Sequence, residues 1–169
     1  MIILGIDTAI RKTGYGVIEM ASASKIRILD CGVIVNRAGL PHSECLRRLY
    51  GGVEELVRTF RPDAASMESA FVSRNIRTAM ILSLARGAVI ASLAGLSIPV
   101  YEYSPKSAKR AATGNGSASK EQVAAVLASI CQLDVSTIPD DSTDALALAV
   151  CHGSMACRPE MKGFLPDPV

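Results

Sequence analysis

The first 36 residues hold three apolar, β-branched runs separated by short polar turns, which commits the chain to begin as an antiparallel sheet. "MIILGID" (Met1 to Asp7), "GYGVI" (Gly14 to Ile18) and "SKIRILDCGVIVN" (Ser24 to Asn36) lie too close together for crossover connections, which need a dozen or more residues. Then the period changes. From Ser43, Leu46, Leu49, Val53, Leu56 and Phe60 recur at three- and four-residue spacing, one face of an amphipathic helix that Arg61-Pro62-Asp63 ends. "AASMESAF" (Ala64 to Phe71) reads as a fourth strand, Asn75 to Leu96 as a helix rich in small residues, and "IPVYEYSP" (Ile98 to Pro105) as a fifth strand. A short helix follows over Lys106 to Ala112, another starts at a capping box of Ser119 and Gln122, and a last one over Pro139 to His152 opens with proline and two aspartates. The order predicts an α/β domain over residues 1–152, a mixed five-stranded sheet flanked by helices, with a mobile tail over 153–169.

Composition narrows the class. In 169 residues, 49% hydrophobic content is enough for one substantial core. The longest apolar stretch, Ala88 to Leu96, falls short of the roughly 20 residues of a membrane span. No export leader is visible, since Met1 runs straight into the first strand, so a soluble cytoplasmic protein is expected. Five scattered cysteines, odd in number and without a C-x-x-C pair, indicate neither a disulfide framework nor a thiolate zinc site. A net charge of +2 favours an anionic partner only mildly.

Two acids sit where strands should be buried. Asp7 interrupts the first apolar run and Glu68 the fourth, and an unpaired carboxylate there is costly. Asp141 and Asp144, three residues apart at a helix start, share a face, and Leu148 marks that face as inward. If this helix packs beside the two strands, four carboxylates converge, and they cannot all stay ionised without a compensating cation. Oxygen-only ligands select Mg²⁺ or Mn²⁺, and the lack of a His/Cys cluster argues against zinc. Two such ions would activate a water and stabilise the leaving oxygen of a phosphodiester. Other readings stay open on the residues alone: a strand aspartate is commonly a turn residue, and acids at a helix start, Asp140 above all, are commonly caps. His42 and His152 have no neighbouring acid in sequence and read as surface or helix-end residues.

The stretches "ILGIDTAIRKTGYGVI", "MESAFVSRN", "LARGAVIA", "VYEYSPKSAKRAATGNGSASKEQV" and "DDSTDALALAV", in that order and spacing, resemble the RuvC family of Holliday junction resolvases from Ile3 to about His152. The resemblance implies a ribonuclease H-like fold and a homodimer that makes paired, Mg²⁺-dependent nicks across a four-way DNA junction. It also implies a role in recombination and repair beside a RuvA–RuvB branch-migration complex. The family's catalytic, metal-binding acids fall on Asp7, Glu68, Asp141 and Asp144, the four reached above. Implied DNA contacts are Phe71, stacked on an unpaired base at the crossover, Arg74 and Asn75 at the strand end, and Lys109 and Lys120, the last near the scissile phosphate. Arg77, Lys106 and Arg110 flank the same cluster, whereas Arg47 and Arg48 read as the polar face of their helix. The helix from about Asn75 to Leu96 is the candidate dimer face.

One departure stands beside the first acid. Where the family has Pro-Gly after Ile-Asp, this chain has Thr8-Ala9, and alanine at a position needing positive φ predicts a strained turn. That suggests one alternative, a non-catalytic protein that binds four-way junctions. Another ribonuclease H-like nuclease with a different nucleic-acid substrate would share the four acids. An actin/hexokinase-type ATPase also opens on a strand-borne G-I-D, but needs a second glycine-rich phosphate loop and a longer chain.

Overall fold

Alternation along the first strand dictates two cores. Ile3 faces one and Leu4 and Ile6 face the other, as Ile18 and Val17 do on the strand beside it. In the computed structural model, which describes all residues except 23–24, 70–74, 132–133, 135, 137 and 159–162, the strands are β1 (Ile2–Asp7), β2 (Lys12–Ser22), β3 (Lys25–Val35), β4 (Ala64–Glu68) and β5 (Val100–Tyr103). The helices are α1 (His42–Phe60), α2 (Ile76–Gly95), α3 (Pro105–Thr113), α4 (Lys120–Cys131) and α5 (Thr143–Ala156). The sheet order is β3-β2-β1-β4-β5. β1, β2 and β3 form the expected antiparallel meander, while β1–β4 and β4–β5 are parallel. Helices α1 and α2 cover one face with Leu49, Val53, Val89 and Leu93; α3, α4 and α5 cover the other with Ala108, Val123, Leu127 and Leu146.

Caps fix the element ends. Arg61 takes a left-handed conformation (φ 49°) after α1 and returns its N–H to Val57 O, and Pro62 prevents continuation. Asp63 then registers β4 on β1: its carboxylate accepts the Ile2 N–H at 2.7 Å and its own N–H donates to Ile2 O. Ser104 caps α3 with Pro105 in its first turn, and Ser119 and Gln122 form the predicted capping box in both directions.

Four expectations take corrections. β4 ends at Glu68, not Phe71, and Phe71 lies outside the described residues. The last helical stretch is divided, a 3-10 turn over Asp140–Ser142 and then α5, and neither N-cap residue, Pro139 or Ser142, makes a side-chain cap. α5 runs to Ala156, past the boundary placed at His152, because Gly153 has no side chain to collide with Met20 and Ile3 beneath it. Beyond it, the Val169 N–H donates to Val100 O on β5. His152 is not a surface residue: it is 1% exposed, shares a 2.8 Å hydrogen bond with the Tyr103 hydroxyl through Nδ1, and stacks on Tyr101 with ring centroids 4.4 Å apart. His42 is exposed at the start of α1, as expected.

Length and composition also give α2 more apolar character than the sequence reading allowed. Its 20 residues would suffice to cross a bilayer by those two criteria alone. Here it packs on the sheet through Ala85, Val89 and Leu93, with Ser92 Oγ donating to Tyr50 O on α1.

Candidate active site

Glycines build the site. The register pairs Gly5 with Gly16 and Asp7 with Gly14 across β1 and β2. A Cβ on Gly5 would stand 1.9 Å from the carbonyl oxygen of Ala145, one on Gly14 1.8 Å from that of Asp141, and one on Gly16 2.5 Å from the Leu146 side chain. α5 and the turn before it therefore lie directly on the backbone of β1 and β2, which no residue with a side chain would permit. The cross-strand position opposite Asp7 is filled by the peptide of Asp141. On β1 the residues alternating with Gly5 face α5, so Asp7 does too, and Glu68 follows Met67, the partner of Ile6, on the adjoining strand. Acids from β1, β4 and the α5 entrance thus meet at one end of the sheet.

Their mutual influence is electrostatic. Burial raises the Asp7 pKa, Asp144 and Asp141 raise it further, and Lys120 opposes them. Glu68 is raised by burial, then by Asp7 and Asp144, with Arg86 opposing. Asp141 and Asp144 carry lysine partners: Lys12 Nζ lies 3.4 Å from Asp141 Oδ2 and Lys120 Nζ 3.6 Å from Asp144 Oδ2. Among the described residues no three His, Cys, Asp or Glu side chains stand at metal-ligand spacing. The two aspartates at the α5 entrance nevertheless act on the strand acids: Asp144 raises the pKa of both Asp7 and Glu68, and Asp141 that of Asp7. The donor set suits a hard cation, being all carboxylate. Thr8 Oγ1 and Thr143 Oγ1, one beside Asp7 and one between Asp141 and Asp144 in sequence, are buried without a protein hydrogen-bond partner.

The turn after Asp7 is unstrained. Among the described non-glycine residues only Arg61 and Ser97 have positive φ, so Ala9 does not occupy the conformation that the family's glycine suggested. Thr13 holds the turn instead, accepting from the Ala9 N–H at 3.2 Å and donating to Ala9 O at 2.5 Å. Arg11 ties it to the start of α1 through Arg37 O and Cys45 Sγ.

Of the expected DNA contacts, Lys120 is at the acids and Lys109 is half-buried on α3. The two lysines together help hold the Glu121 carboxyl low, after its hydrogen bond from Ser119. Asn75 caps α2, its Oδ1 accepting the Thr78 N–H. Phe71 and Arg74 lie outside the described residues. Sequence reasoning missed Lys12, whose neighbourhood to Asp141 exists only after α5 docks. It also missed Arg86, visible only as the arginine of "LARGAVIA" in a largely apolar helix.

Fold and site together define a ribonuclease H-like domain with carboxylates gathered at the ends of its central parallel strands. Residues 3–152 match the family described as crossover junction endodeoxyribonuclease RuvC. A crossover junction endodeoxyribonuclease RuvC of Chlorobaculum parvum is 45% identical over 151 residues, 89% of this chain and 80% of that one; one from Chloroflexus aurantiacus is 38% identical over 153 residues, 90% and 93%. The solved structure of T. thermophilus RuvC in complex with Holliday junction substrate superimposes with a TM-score of 0.89 at 33% identity, covering 100% of this chain and 99% of that one. The chain belongs to the RuvC family.

Proposed function

We propose that this protein is a homodimeric, structure-specific endonuclease that resolves four-way DNA junctions by paired nicks, with Asp7, Glu68, Asp141 and Asp144 as its catalytic acids and metal ligands. The observation that carries the reading is the meeting of four carboxylates from β1, β4 and the α5 entrance, two of them pushed toward protonation by burial and by their neighbours. Such a cluster is unfavourable in isolation and becomes favourable around divalent cations. Two Mg²⁺ ions, or Mn²⁺ in their place, would supply a water of lowered pKa and charge stabilisation for the departing 3′-oxygen.

The remaining work falls to the chain. The carboxylates bind and orient, while Lys12, Lys120 and Lys109 neutralise phosphate charge at the cleft. Phe71, Arg74 and Asn75 complete the DNA contacts, Phe71 by stacking on an unpaired base. Two symmetric cuts call for two active sites, which a two-fold dimer supplies. The face available for it is the stripe of Ile76, Met80 and Leu84 on α2, which are 75%, 64% and 52% exposed. Action in the cytoplasm beside a RuvA–RuvB complex belongs to the same reading.

The deciding experiment compares nicking of a mobile four-way junction and its matched linear duplex in Mg²⁺ by the wild type and Asp7→Asn. Paired nicks on the junction alone, lost in the variant, are expected. Tight junction binding by the wild type without nicking, in Mn²⁺ as well and on several junction sequences, would leave a binding protein instead.

A further inference from the structure

Arg86 lies on the opposite face of the sheet from α5, yet it reaches the end of the strand that carries Glu68. Its Nη1 donates to the backbone carbonyl of Glu68 at 2.5 Å, and its Nη2 forms an ion pair with Glu102 on β5. The pair is well sheltered, with side-chain exposures of 16% for Arg86 and 25% for Glu102. A guanidinium is the side chain that can make both bonds at once in fixed directions. Glu68 is the last residue of β4, and the strand's final tie to β5 is the Ser69 N–H donating to Tyr103 O. The Glu68–Ser69 peptide is therefore held on both sides, its N–H by Tyr103 O and its carbonyl by Arg86, and losing Arg86 leaves one hydrogen bond to set the plane that carries the Glu68 side chain.

We infer that Arg86, held by Glu102, is a positioning residue that fixes the Glu68 peptide and thereby aims the Glu68 carboxylate at the cation site. The inference rests on the reading of Glu68 as a metal ligand. It also gives α2 a second task, since the helix offering the exposed apolar stripe carries the arginine that steadies the site from behind.

Charge and position make opposite predictions here, which permits a clean test. By charge alone, removing Arg86 strengthens cation binding, because a positive group leaves the neighbourhood of Glu68; by loss of position, it weakens it. The experiment is calorimetric titration of Mn²⁺ into the full-length protein without DNA, for the wild type, Glu68→Gln, Arg86→Met, and the double variant Arg86→Met with Glu102→Leu. The double variant removes one charge of each sign and replaces a sheltered ion pair by apolar side chains, a change that proteins commonly tolerate. It keeps the test available if the single variant, with Glu102 left unpaired, fails to fold. Expected is about tenfold weaker Mn²⁺ binding in Arg86→Met and in the double variant, the usual effect of losing a group that orients a ligand. Nicking should then need correspondingly more Mn²⁺, with junction affinity unchanged. Mn²⁺ affinity in the double variant equal to or tighter than wild type, while Glu68→Gln binds more weakly, overturns the positioning role. Unchanged binding in Glu68→Gln removes the ligand reading of Glu68, and the inference with it.

Discussion

Asp7 is held against its own preference: burial and the nearby Asp144 and Asp141 favour its protonated form. Replacing it by asparagine removes that repulsion without changing shape. Asp7→Asn should therefore unfold at a higher temperature in EDTA, by about 1 kcal/mol of stability, while losing nicking altogether. A variant less stable than wild type in EDTA would contradict the account of the site as a strained acid cluster. His152 supplies a separate pH dependence. Its pKa is lowered by burial from the ordinary 6.5 to about 4. The folded state thus disfavours the imidazolium, so the stability linked to this group is complete above pH 6.5 and is lost as the pH falls through 4. Urea unfolding from pH 7 to 4 should record at most about 3 kcal/mol of loss from this source. His152→Gln should show a correspondingly shallower slope; an identical slope would exonerate the imidazole. At this scale the sequence was informative wherever a residue type clashed with its pattern, as acids in apolar strands do. It was silent on Lys12 and Arg86, ordinary cations until folding supplies Asp141 and the Glu68 carbonyl.

Elements were more legible than their ends. Periodicity in "LRRLYGGVEELVRTF" and the chemistry of Ser119 and Gln122 are local, and α1 and α4 follow from them. The end of α5 is tied instead to distant partners, since Met20 and Ile3 lie so close to Gly153 that they leave no room for a side chain there. The strain expected of Ala9 failed for a local reason. Thr13, four residues on, gives that turn the two hydrogen bonds that hold it without positive φ at Ala9. The seating of α5 yields a direct prediction. Gly5→Ala forces a methyl group into the α5 backbone and should cost about 3 kcal/mol, with nicking lost, whereas Gly51→Ala in α1, with open space around it, should gain about 0.5–1 kcal/mol. Equal stabilities by thermal denaturation would refute direct backbone contact between α5 and β1.

Among the described residues, Ile76, Met80 and Leu84 form an exposed apolar stripe along α2, the proposed dimer face. Met80→Glu combined with Leu84→Glu should convert a dimer into monomers in sedimentation velocity at micromolar concentration, with stability of the protomer changed by no more than about 0.5 kcal/mol. A dimer that survives both charges would move the interface elsewhere. The path of the chain has a further consequence. Asp7 is synthesised well before Asp141 and Asp144, and they meet only when α5 settles on the glycines of β1 and β2. At about 5–20 residues per second, a nascent chain spends many seconds with half its acids and nothing to complete them. A polypeptide cut short by a broken message before α5 never acquires the other half, so the acid cluster is assembled only once α5 has been made.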